Sequence, residues 1–423
     1  MRIELICTGD EVLSGKTVNR NYSHVARRLQ ESGLEACWGT TVGDDRSSLT
    51  QAFRLASDRA DAVIVNGGLG PTVDDLSQEV AAEAAGVDLE LHPEWLANIE
   101  AFYTARGRVM PPNNRKQAML PVGSEFIDNP IGTACGFALD IDGTRFFFTP
   151  GVPRELHRML DEQILPRLLA MTGAQPAVSL RRFHSFGLGE SRVDDMLRDV
   201  EQLAEGGEVK LGFQAHYPQL ETKLFAKGTD AAELERRMAP VVAAVTEKLG
   251  GYLLAEDAET LEGNILAALA ARGATLAVAE SATHAGIAQR LLAAEDEATA
   301  PLVRRTLAAG SPEALAGALS LRLQETTAED QHAVHAGAIA EAVRGAAASD
   351  WGLASVVERA PGRIGWVHTA VSSSAGTVTR SACLIGSPER ARVGGVEMAL
   401  DGLRRTLSGL SVDDIIDFEK RPG

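Results

Sequence analysis

A glycine-rich segment followed by two acidic residues is the strongest chemical feature of this chain. It covers residues 66–75 and reads N-G-G-L-G-P-T-V-D-D. Gly67, Gly68 and Gly70 leave backbone N–H groups unshielded, and Thr72 adds a hydroxyl group. The positive end of a helix is predicted to follow directly, and helix N-termini attract anions. The segment therefore predicts a phosphate-binding loop.

Carboxylates follow each of the first three predicted strands. Asp74 and Asp75 fall in the predicted first turn of the helix after the glycine loop. There they can cap that helix, or together hold a divalent metal ion that neutralises a pyrophosphate. Asp10 and Glu11 follow the first strand, and Asp44 follows the second. Because the carboxyl ends of parallel strands open at one edge of a sheet, we expect these acids to converge. A metal or acid–base site is favoured over unrelated turn residues.

Three further residues are candidates for substrate binding. Lys116, with Arg115 beside it, can hold an anion or lie in solvent, in a chain that has seven lysines. Asn129 begins the turn-rich segment N-P-I-G-T-A, and a second such segment covers residues 149–155. Each of these segments can serve a binding site or simply form a rigid loop.

The elements that must position these residues alternate between strands and helices. Asp142-Gly143 is the signal for a two-residue hairpin turn. Ser47 or Ser48 can cap the second helix. Strands joined by single helices imply right-handed crossovers and a parallel, doubly wound α/β sheet. The predicted strands cover 2–7, 34–42 and 61–66, and the predicted helices cover 19–32, 47–59, 74–85 and 154–169.

Three domains are predicted, over residues 1–172, 178–255 and 258–415, with a linker at 172–177. The middle segment reads as a small α+β module, and the last is Ala-rich and strongly helical. The middle module has predicted helices at 191–201 and 230–249 and strands at 208–216 and 221–226. The last domain has predicted strands at 275–279, 364–370 and 377–384.

Composition limits the possible partners. Lys and Arg number 41 against 58 Asp and Glu, a net charge of −17 over 423 residues. This charge disfavours a nucleic-acid partner but not a small anionic substrate. The acidic start and the absence of long apolar runs predict a cytoplasmic protein with no membrane partner. Buried thiols, rather than disulfides or a zinc site, are expected for Cys7, Cys37, Cys135 and Cys383.

Six motifs in order over residues 6–156 resemble the CinA family (competence/damage-inducible protein A). They are T-G-D-E-V-L, V-G-D-D, G-G-L-G-P-T-x-D-D, N-N-R-K-Q-A, N-P-I-G-T-A and P-G-V-P-R-E-L. The family's first domain is similar to the molybdopterin-binding domains of molybdenum-cofactor biosynthesis. The segment F-H-S-F-G-L-G-E-S, from residue 183, resembles the family's middle module.

The resemblance carries functional expectations for the first domain. It implies that Asp44 and Asp75 are the functional carboxylates. It also implies a divalent-metal-dependent hydrolysis of ADP-ribose to AMP and ribose 5-phosphate, and a homodimer. The residues themselves are compatible with this activity, because they offer a glycine loop for phosphate and carboxylates for a metal ion and a water.

The last domain resembles the family's nicotinamide mononucleotide deamidase, an α/β amidohydrolase. The sequence A-E-S-A-T at 279–283 is similar to its nucleophile motif A-E-S-C-T-G-G, which makes Ser281 the nucleophile position. His284 and Ala285 replace the two glycines. G-S-P-E-A-L at 310–315 stands where the family has Y-S-N-E-A-K. A T-G-I-A-G-P stretch is replaced around 356–362.

A base for Ser281 is missing from this domain. No lysine occurs between Lys248 and Lys420, and no tyrosine follows Tyr252. A serine hydroxyl is a weak nucleophile without a base in hydrogen-bonding reach. His284 is a hypothetical substitute if it shares a helical face with Ser281, but the favoured interpretation of His284 is an ordinary histidine at the surface or at a helix end.

We therefore interpret the deamidase site as degenerate. The remaining histidines, including His332 and His335, lack an HExxH context, and no metal set is expected from them. The leading hypothesis is an ADP-ribose pyrophosphatase. The alternatives are a nicotinamide mononucleotide deamidase and a non-catalytic scaffold that binds a pterin or nucleotide.

Overall fold

Contacts between residues divide the chain into two units. The computed structural model describes residues 1–173, 177–324, 331–358 and 365–420. One unit comprises 1–178 with 227–231, and the other comprises 179–226 with 232–423. The second unit thus holds both the predicted middle module and the predicted last domain, and the three-domain division stays a prediction. The predicted linker at 172–177 lies partly outside the described residues.

The first unit is built on a six-stranded sheet. Its strands, with a separate two-stranded ribbon of β4 and β5, are β1 (Ile3–Thr8), β2 (Ala36–Val42), β3 (Ala62–Asn66), β4 (Leu89–Leu91), β5 (Met119–Pro121), β6 (Glu125–Ile127), β7 (Gly136–Ile141) and β8 (Thr144–Thr149). The sheet order is β2-β1-β3-β8-β7-β6. The first four of these are mutually parallel, whereas β7 and β6 are antiparallel to their neighbours. The hairpin predicted at Asp142-Gly143 joins β7 to β8.

Helices cover both faces of this sheet. They are α1 (Asp10–Leu13), α2 (Arg20–Glu31), α3 (Arg46–Arg59), α4 (Ser77–Ala85), α5 (Pro93–Thr104), α6 (Pro153–Met159) and α7 (Leu165–Thr172). A 3₁₀ helix covers Pro112–Ala118. One π-helical stretch, Leu160–Ile164, joins α6 to α7, where a single helix was predicted.

Alternation along β3 shows how both faces are used. Val63 and Val65 pack into a core with Phe53 of α3, whereas Ile64 packs on the other face with Leu156 of α6. Successive residues of a strand point to opposite faces, so an apolar run is buried on both. The doubly wound α/β prediction is confirmed.

Two helix starts differ from the sequence prediction. Asp45 caps α3, because its carboxylate accepts a hydrogen bond from the Ser48 N–H at 2.9 Å, so the prediction of a serine cap is wrong. α4 begins at Ser77, so Asp74 and Asp75 precede the helix. The reason is local: the Asp75 carboxylate accepts the Thr72 N–H at 2.9 Å and closes a turn before the helix begins.

Two sheets organise the rest of the chain. The strands are β9 (Ala177–Phe186), β10 (Lys210–His216), β11 (Gln219–Gly228), β12 (Leu253–Glu256), β13 (Leu276–Ser281), β14 (Val303–Ala309), β15 (Trp351–Val357), β16 (Trp366–Ser373) and β17 (Gly376–Cys383). The helices are α8 (Glu190–Leu197), α9 (Ala231–Leu249), α10 (Leu261–Ala270), α11 (Gly286–Ala293), α12 (Pro312–Ala318), α13 (Gln331–Ala346) and α14 (Pro388–Leu407).

The larger of these sheets has the order β14-β13-β15-β16-β17, and the smaller β10-β11-β9-β12. β13 is parallel to β14 and β15, whereas β16 and β17 are antiparallel. Residues of α12 and α13 pack on one face of the larger sheet, and residues of α10, α11 and α14 pack on the other. The sequence analysis predicted β13, β16 and β17 but missed β14 and β15. The start of the strand predicted at 364–370 lies outside the described residues.

The aromatic core of the first unit generates a stability prediction. The fully buried Phe148 stacks on Phe137 at a ring-centroid distance of 4.4 Å and meets the edge of Phe53 at 5.6 Å. Phe148→Ala would leave a cavity between the sheet and α3, so we expect it to lower the free energy of unfolding by about 3–5 kcal/mol. Urea denaturation followed by circular dichroism measures this. Val109→Ala, at a side chain 92% exposed, is the control and should change little. Equal midpoints for the two variants would contradict the prediction.

Candidate functional site

A cleft of about 420 Å³ opens at the carboxyl edge of the four parallel strands of the first unit. Each of these strands contributes: Glu11 follows β1, Asp44 follows β2, the glycine loop follows β3, and Pro150 follows β8. The residues that follow the parallel strands therefore converge at one edge of the sheet, as expected. Seven of the residues singled out from sequence line the cleft: Glu11, Asp44, Gly67, Gly68, Gly70, Asp74 and Asp75.

The glycine loop is tied to the start of α4. The Ser77 hydroxyl donates a hydrogen bond to the Gly67 carbonyl at 2.9 Å. Gly68 has φ +70°, and a Cβ atom at that position would stand 2.3 Å from the Ser77 hydroxyl oxygen. Only glycine fits this left-handed position without displacing α4. The loop is thereby held with its backbone against the cleft.

Thr72 and Lys116 lie at the rim of the loop and are not among the residues that line the cleft. The Thr72 backbone N–H and hydroxyl both donate to the Asp75 carboxylate. The Lys116 ammonium donates to the Thr72 carbonyl at 3.2 Å and lies 3.4 Å from the Glu79 carboxylate. Lys116 therefore braces the loop in this structure, and its contact with a substrate anion stays a prediction.

Asp10 and Asp44 bind each other's backbone. The Asp10 N–H donates to the Asp44 carboxylate at 2.9 Å, and the Asp44 N–H donates to the Asp10 carboxylate at 3.2 Å. Burial raises the pKa of Asp44 above its usual range, and repulsion from Asp10, Glu11 and Asp74 adds to the rise. Several carboxylates close to the half-buried Asp44 favour the binding of a cation or of a proton at this position.

The carboxylates fit one kind of metal site better than another. Within the described parts of the first unit, no three acidic side chains bring their oxygens within 4.8 Å of one another. A closed all-protein cage is therefore not formed. Mg²⁺ is commonly held by one or two carboxylates, with waters and substrate phosphates completing its shell. The buried Thr8 hydroxyl, on the cleft wall, has no hydrogen-bond partner among the described residues and offers one further oxygen.

Asn129 is buried behind the cleft. Its amide donates to the Ala134 carbonyl at 2.7 Å and to the Glu155 carboxylate at 2.8 Å. Glu155 itself lines the cleft, and sequence reasoning missed it although it lies within P-G-V-P-R-E-L. Asn129 thus positions a cleft residue, and direct binding of substrate by Asn129 stays a prediction.

Ser281, the nucleophile position suggested by the resemblance, ends β13 and is fully buried. Its hydroxyl oxygen has no hydrogen-bond partner among the described residues. The neighbouring Glu280 is fully committed to the local fold. Its carboxylate accepts the Thr283 hydroxyl and the N–H groups of Ile287 and Ala288 at the start of α11. The site therefore presents a serine without a contacting base.

The turn between β13 and α11 rules out the hypothetical base. Ala282, His284 and Ala285 have φ values of +60°, +57° and +59°. His284 is exposed in this turn and precedes α11, so it does not share a helical face with Ser281. The favoured interpretation, a surface histidine, agrees with this position, and the hypothesis of a substitute base does not. His284 and Ala285 adopt the left-handed conformation that glycine favours, at the two positions where the family motif has glycine.

The C-terminal histidines require a second correction. The sequence analysis expected no metal set from His332 and its neighbours. The structure brings His332, Glu358 and His368 together, with one possible ligand atom of each within 4.8 Å of the others. No sequence motif marks this group, because its members are 26 and 10 residues apart and come from three elements.

Among the helices of the described residues, none is both long enough and apolar enough to cross a membrane.

Comparisons with known proteins cover almost the whole chain. Residues 4–170 match the family "Probable molybdopterin binding domain", and residues 180–255 match "Damage-inducible protein CinA KH domain". A CinA-like protein of Shewanella sediminis is 38% identical over 99% of this chain and 98% of its own length. The nicotinamide-nucleotide amidohydrolase PncC of Shewanella oneidensis is 36% identical over the same shares. The crystal structure of a CinA protein of unknown function from Thermoplasma acidophilum is 32% identical over 40% of this chain and 96% of that chain, with a TM-score of 0.36.

The raised pKa of Asp44 predicts the stability of a variant. An acid whose folded pKa exceeds its unfolded value carries a penalty that is absent at low pH and grows as the pH rises through the folded pKa. Asp44→Asn keeps an acceptor for the Asp10 N–H and removes the charge. Without added metal at pH 7, we expect it to raise the melting temperature by about 1–2 °C, and we expect the gain to vanish near about pH 3. Scanning calorimetry measures both. A fall in the melting temperature at pH 7, or a gain equal to that of the exposed control Asp58→Asn, would contradict the prediction.

Proposed function

This chain belongs to the CinA family, and on that premise we propose that its first unit hydrolyses ADP-ribose to AMP and ribose 5-phosphate with a divalent metal ion. One observation supports this most directly. The glycine loop and four acidic side chains, Glu11, Asp44, Asp74 and Asp75, line the same cleft at the carboxyl edge of the sheet. A pyrophosphate needs both parts, namely N–H donors and counter-charge.

The binding step rests on the loop. The backbone N–H groups of Gly68 and Gly70 and the N-terminus of α4 would offer donors and partial positive charge to the phosphates. The Gly67 N–H, which the sequence analysis counted among these donors, instead donates to the Thr149 carbonyl at 2.9 Å. The cleft volume of about 420 Å³ lies in the range of small-ligand pockets. Asp75 keeps the Thr72 turn closed, so the loop is ordered before substrate arrives.

The hydrolytic step needs two components, a divalent cation and an acidic side chain that acts as a base. Two or three of Glu11, Asp74 and Asp75 would hold the divalent ion, which polarises a phosphoryl oxygen when it is bound. Asp44 would accept the proton of the attacking water, and the rise in its pKa through burial supports this role as a base. The water oxygen forms the new bond to phosphorus, the phosphoanhydride bond breaks, and the leaving phosphate keeps the electron pair.

Deamidation of nicotinamide mononucleotide by the second unit is the second candidate. The amidohydrolase named among the relatives, 36% identical over 99% of this chain, favours it. The missing base weighs against it, because Ser281 is buried without a partner among the described residues and residues 249–419 contain no lysine.

Product analysis with the full-length protein tests the proposal. With ADP-ribose and Mg²⁺, we expect AMP and ribose 5-phosphate, and no product after chelation. Asp44→Asn and Asp75→Asn should each reduce turnover by about 10²–10⁴-fold, because one loses the general base and the other a cation ligand. Asp58→Asn, an exposed acid on α3, is the matched control and should keep full turnover.

The other outcomes decide between the candidates. Ammonia from nicotinamide mononucleotide, lost in Ser281→Ala, would establish the deamidase instead. Saturable binding of ADP-ribose or a pterin without any product would favour a scaffold. Loss of turnover in Asp75→Asn together with loss of its circular-dichroism spectrum would mean that Asp75 acts on folding and not on catalysis.

A further inference from the structure

We propose that His332, Glu358 and His368 form a zinc-binding site in the C-terminal part of the chain. The Glu358 carboxylate oxygen Oε1 lies 2.7 Å from His368 Nε2 and 3.2 Å from His332 Nδ1. In a tetrahedral zinc site with bonds of about 2.0–2.2 Å, neighbouring ligand atoms are about 3.3–3.5 Å apart. The His332 nitrogen is already close to that spacing from the Glu358 oxygen, the His368 nitrogen would move away from it by less than about 1 Å, and all three ligand atoms lie within 4.8 Å of one another.

The donor set matches zinc rather than magnesium. Two imidazole nitrogens and one carboxylate oxygen are the three protein ligands of one common class of zinc site, in which a water takes the fourth position. Mg²⁺ prefers oxygen ligands and octahedral geometry. The set is also distinct in kind from the all-carboxylate cleft of the first unit.

The orientation of His368 is fixed from behind. Its other ring nitrogen, Nδ1, lies 2.7 Å from the Ser381 hydroxyl, and the Trp366 ring runs parallel to the imidazole at 6.0 Å. Ser381 lies opposite His368 in the β16–β17 ladder. A partner on the second nitrogen is a regular feature of histidines that bind metals, because it sets the tautomer and the ring direction.

The other two ligands lie at the ends of regular elements. Glu358 follows β15 directly, and its N–H continues the ladder by donating to the Trp366 carbonyl at 3.0 Å. His332 lies in the first turn of α13. Glu358 and His368 are both buried, whereas the His332 side chain is 28% exposed. The half-exposed His332 leaves the group accessible to an ion from solvent.

The group also lies where α/β sheets place ligands. Ser281 of β13 and His368 of β16 are both paired with Val356 of β15, so the two residues are about 10 Å apart on the two strands that flank β15. Ala279, Val356 and Ala370 pack toward α13, and the two-residue period puts Ser281 and His368 on that same face. The three ligands thus adjoin the carboxyl end of β13, beside the serine position that has no base.

Zinc binding to the metal-stripped full-length protein tests the proposal. By titration calorimetry we expect one Zn²⁺ per chain with a Kd below about 1 µM, and no comparable binding of Mg²⁺. His332→Gln and Glu358→Gln should each weaken zinc binding by about 100-fold or more, and Ser381→Ala by about 10-fold. His216→Gln removes an exposed imidazole elsewhere in the same unit and should leave the affinity unchanged.

This experiment distinguishes a failure of the zinc proposal from a failure of the proposed hydrolysis. Asp44→Asn should reduce AMP release by about 10²–10⁴-fold and leave zinc binding intact. If Glu358→Gln does not fold, the partly exposed His332→Gln carries the test, with its melting temperature as the check on folding. Equal zinc affinity in wild type, His332→Gln and Glu358→Gln would overturn the proposal and leave a hydrogen-bonded histidine–carboxylate cluster. Binding that is lost in Asp44→Asn would also overturn it, because the zinc would then occupy the first unit.

Discussion

Parallel pairing of buried strands is the constraint on which the cleft of the first unit and the Ser281 edge of the second unit depend. A parallel strand cannot return by a tight turn, so each must end at the same edge as its neighbours. In the first unit this brings the segments after β1, β2, β3 and β8 to one cleft. In the second unit it brings the end of β13, with Ser281, beside the end of β15, with Glu358. The segments that follow the strands can vary in sequence, because strand pairing alone brings them to the same edge of the sheet.

The first unit was largely predictable for that reason. Its strands are short apolar runs bounded by glycine and acidic turns, and the alternation of strands and helices implied the parallel sheet. Details that depend on which backbone group a polar side chain binds were not predictable. Asp74 and Asp75 look like a helix start in sequence, yet Asp75 accepts the Thr72 N–H and delays the helix to Ser77. Asn129 was a candidate for substrate binding at the start of a turn-rich segment, yet it is buried against Glu155.

The second unit was harder to read because its strands lack a distinguishing pattern. β15 reads W-G-L-A-S-V-V and β14 reads V-R-R-T-L-A-A, and both lie among Ala-rich helices. A short apolar run cannot be told from a buried helix by period alone. The histidine–carboxylate group was invisible for the same reason. Its three members come together only when α13, β15 and β16 are known to be neighbours.

The turn after β13 indicates how this part of the chain differs from the motif that it resembles. His284 and Ala285 adopt the left-handed backbone conformation at the two positions where that motif has glycine, at a cost of about 1 kcal/mol or more each. The N–H groups that follow bind the Glu280 carboxylate and hold the turn against the start of α11. What differs is the chemistry around Ser281, where a basic lysine is absent and two imidazoles and a carboxylate lie along the same sheet edge. The backbone of this turn is held by the pairing of β13 and by the hydrogen bonds of Glu280 to the start of α11. Neither interaction involves the Ser281 hydroxyl or the side chains of the histidine–carboxylate group, so these can differ in chemistry while the turn keeps its shape.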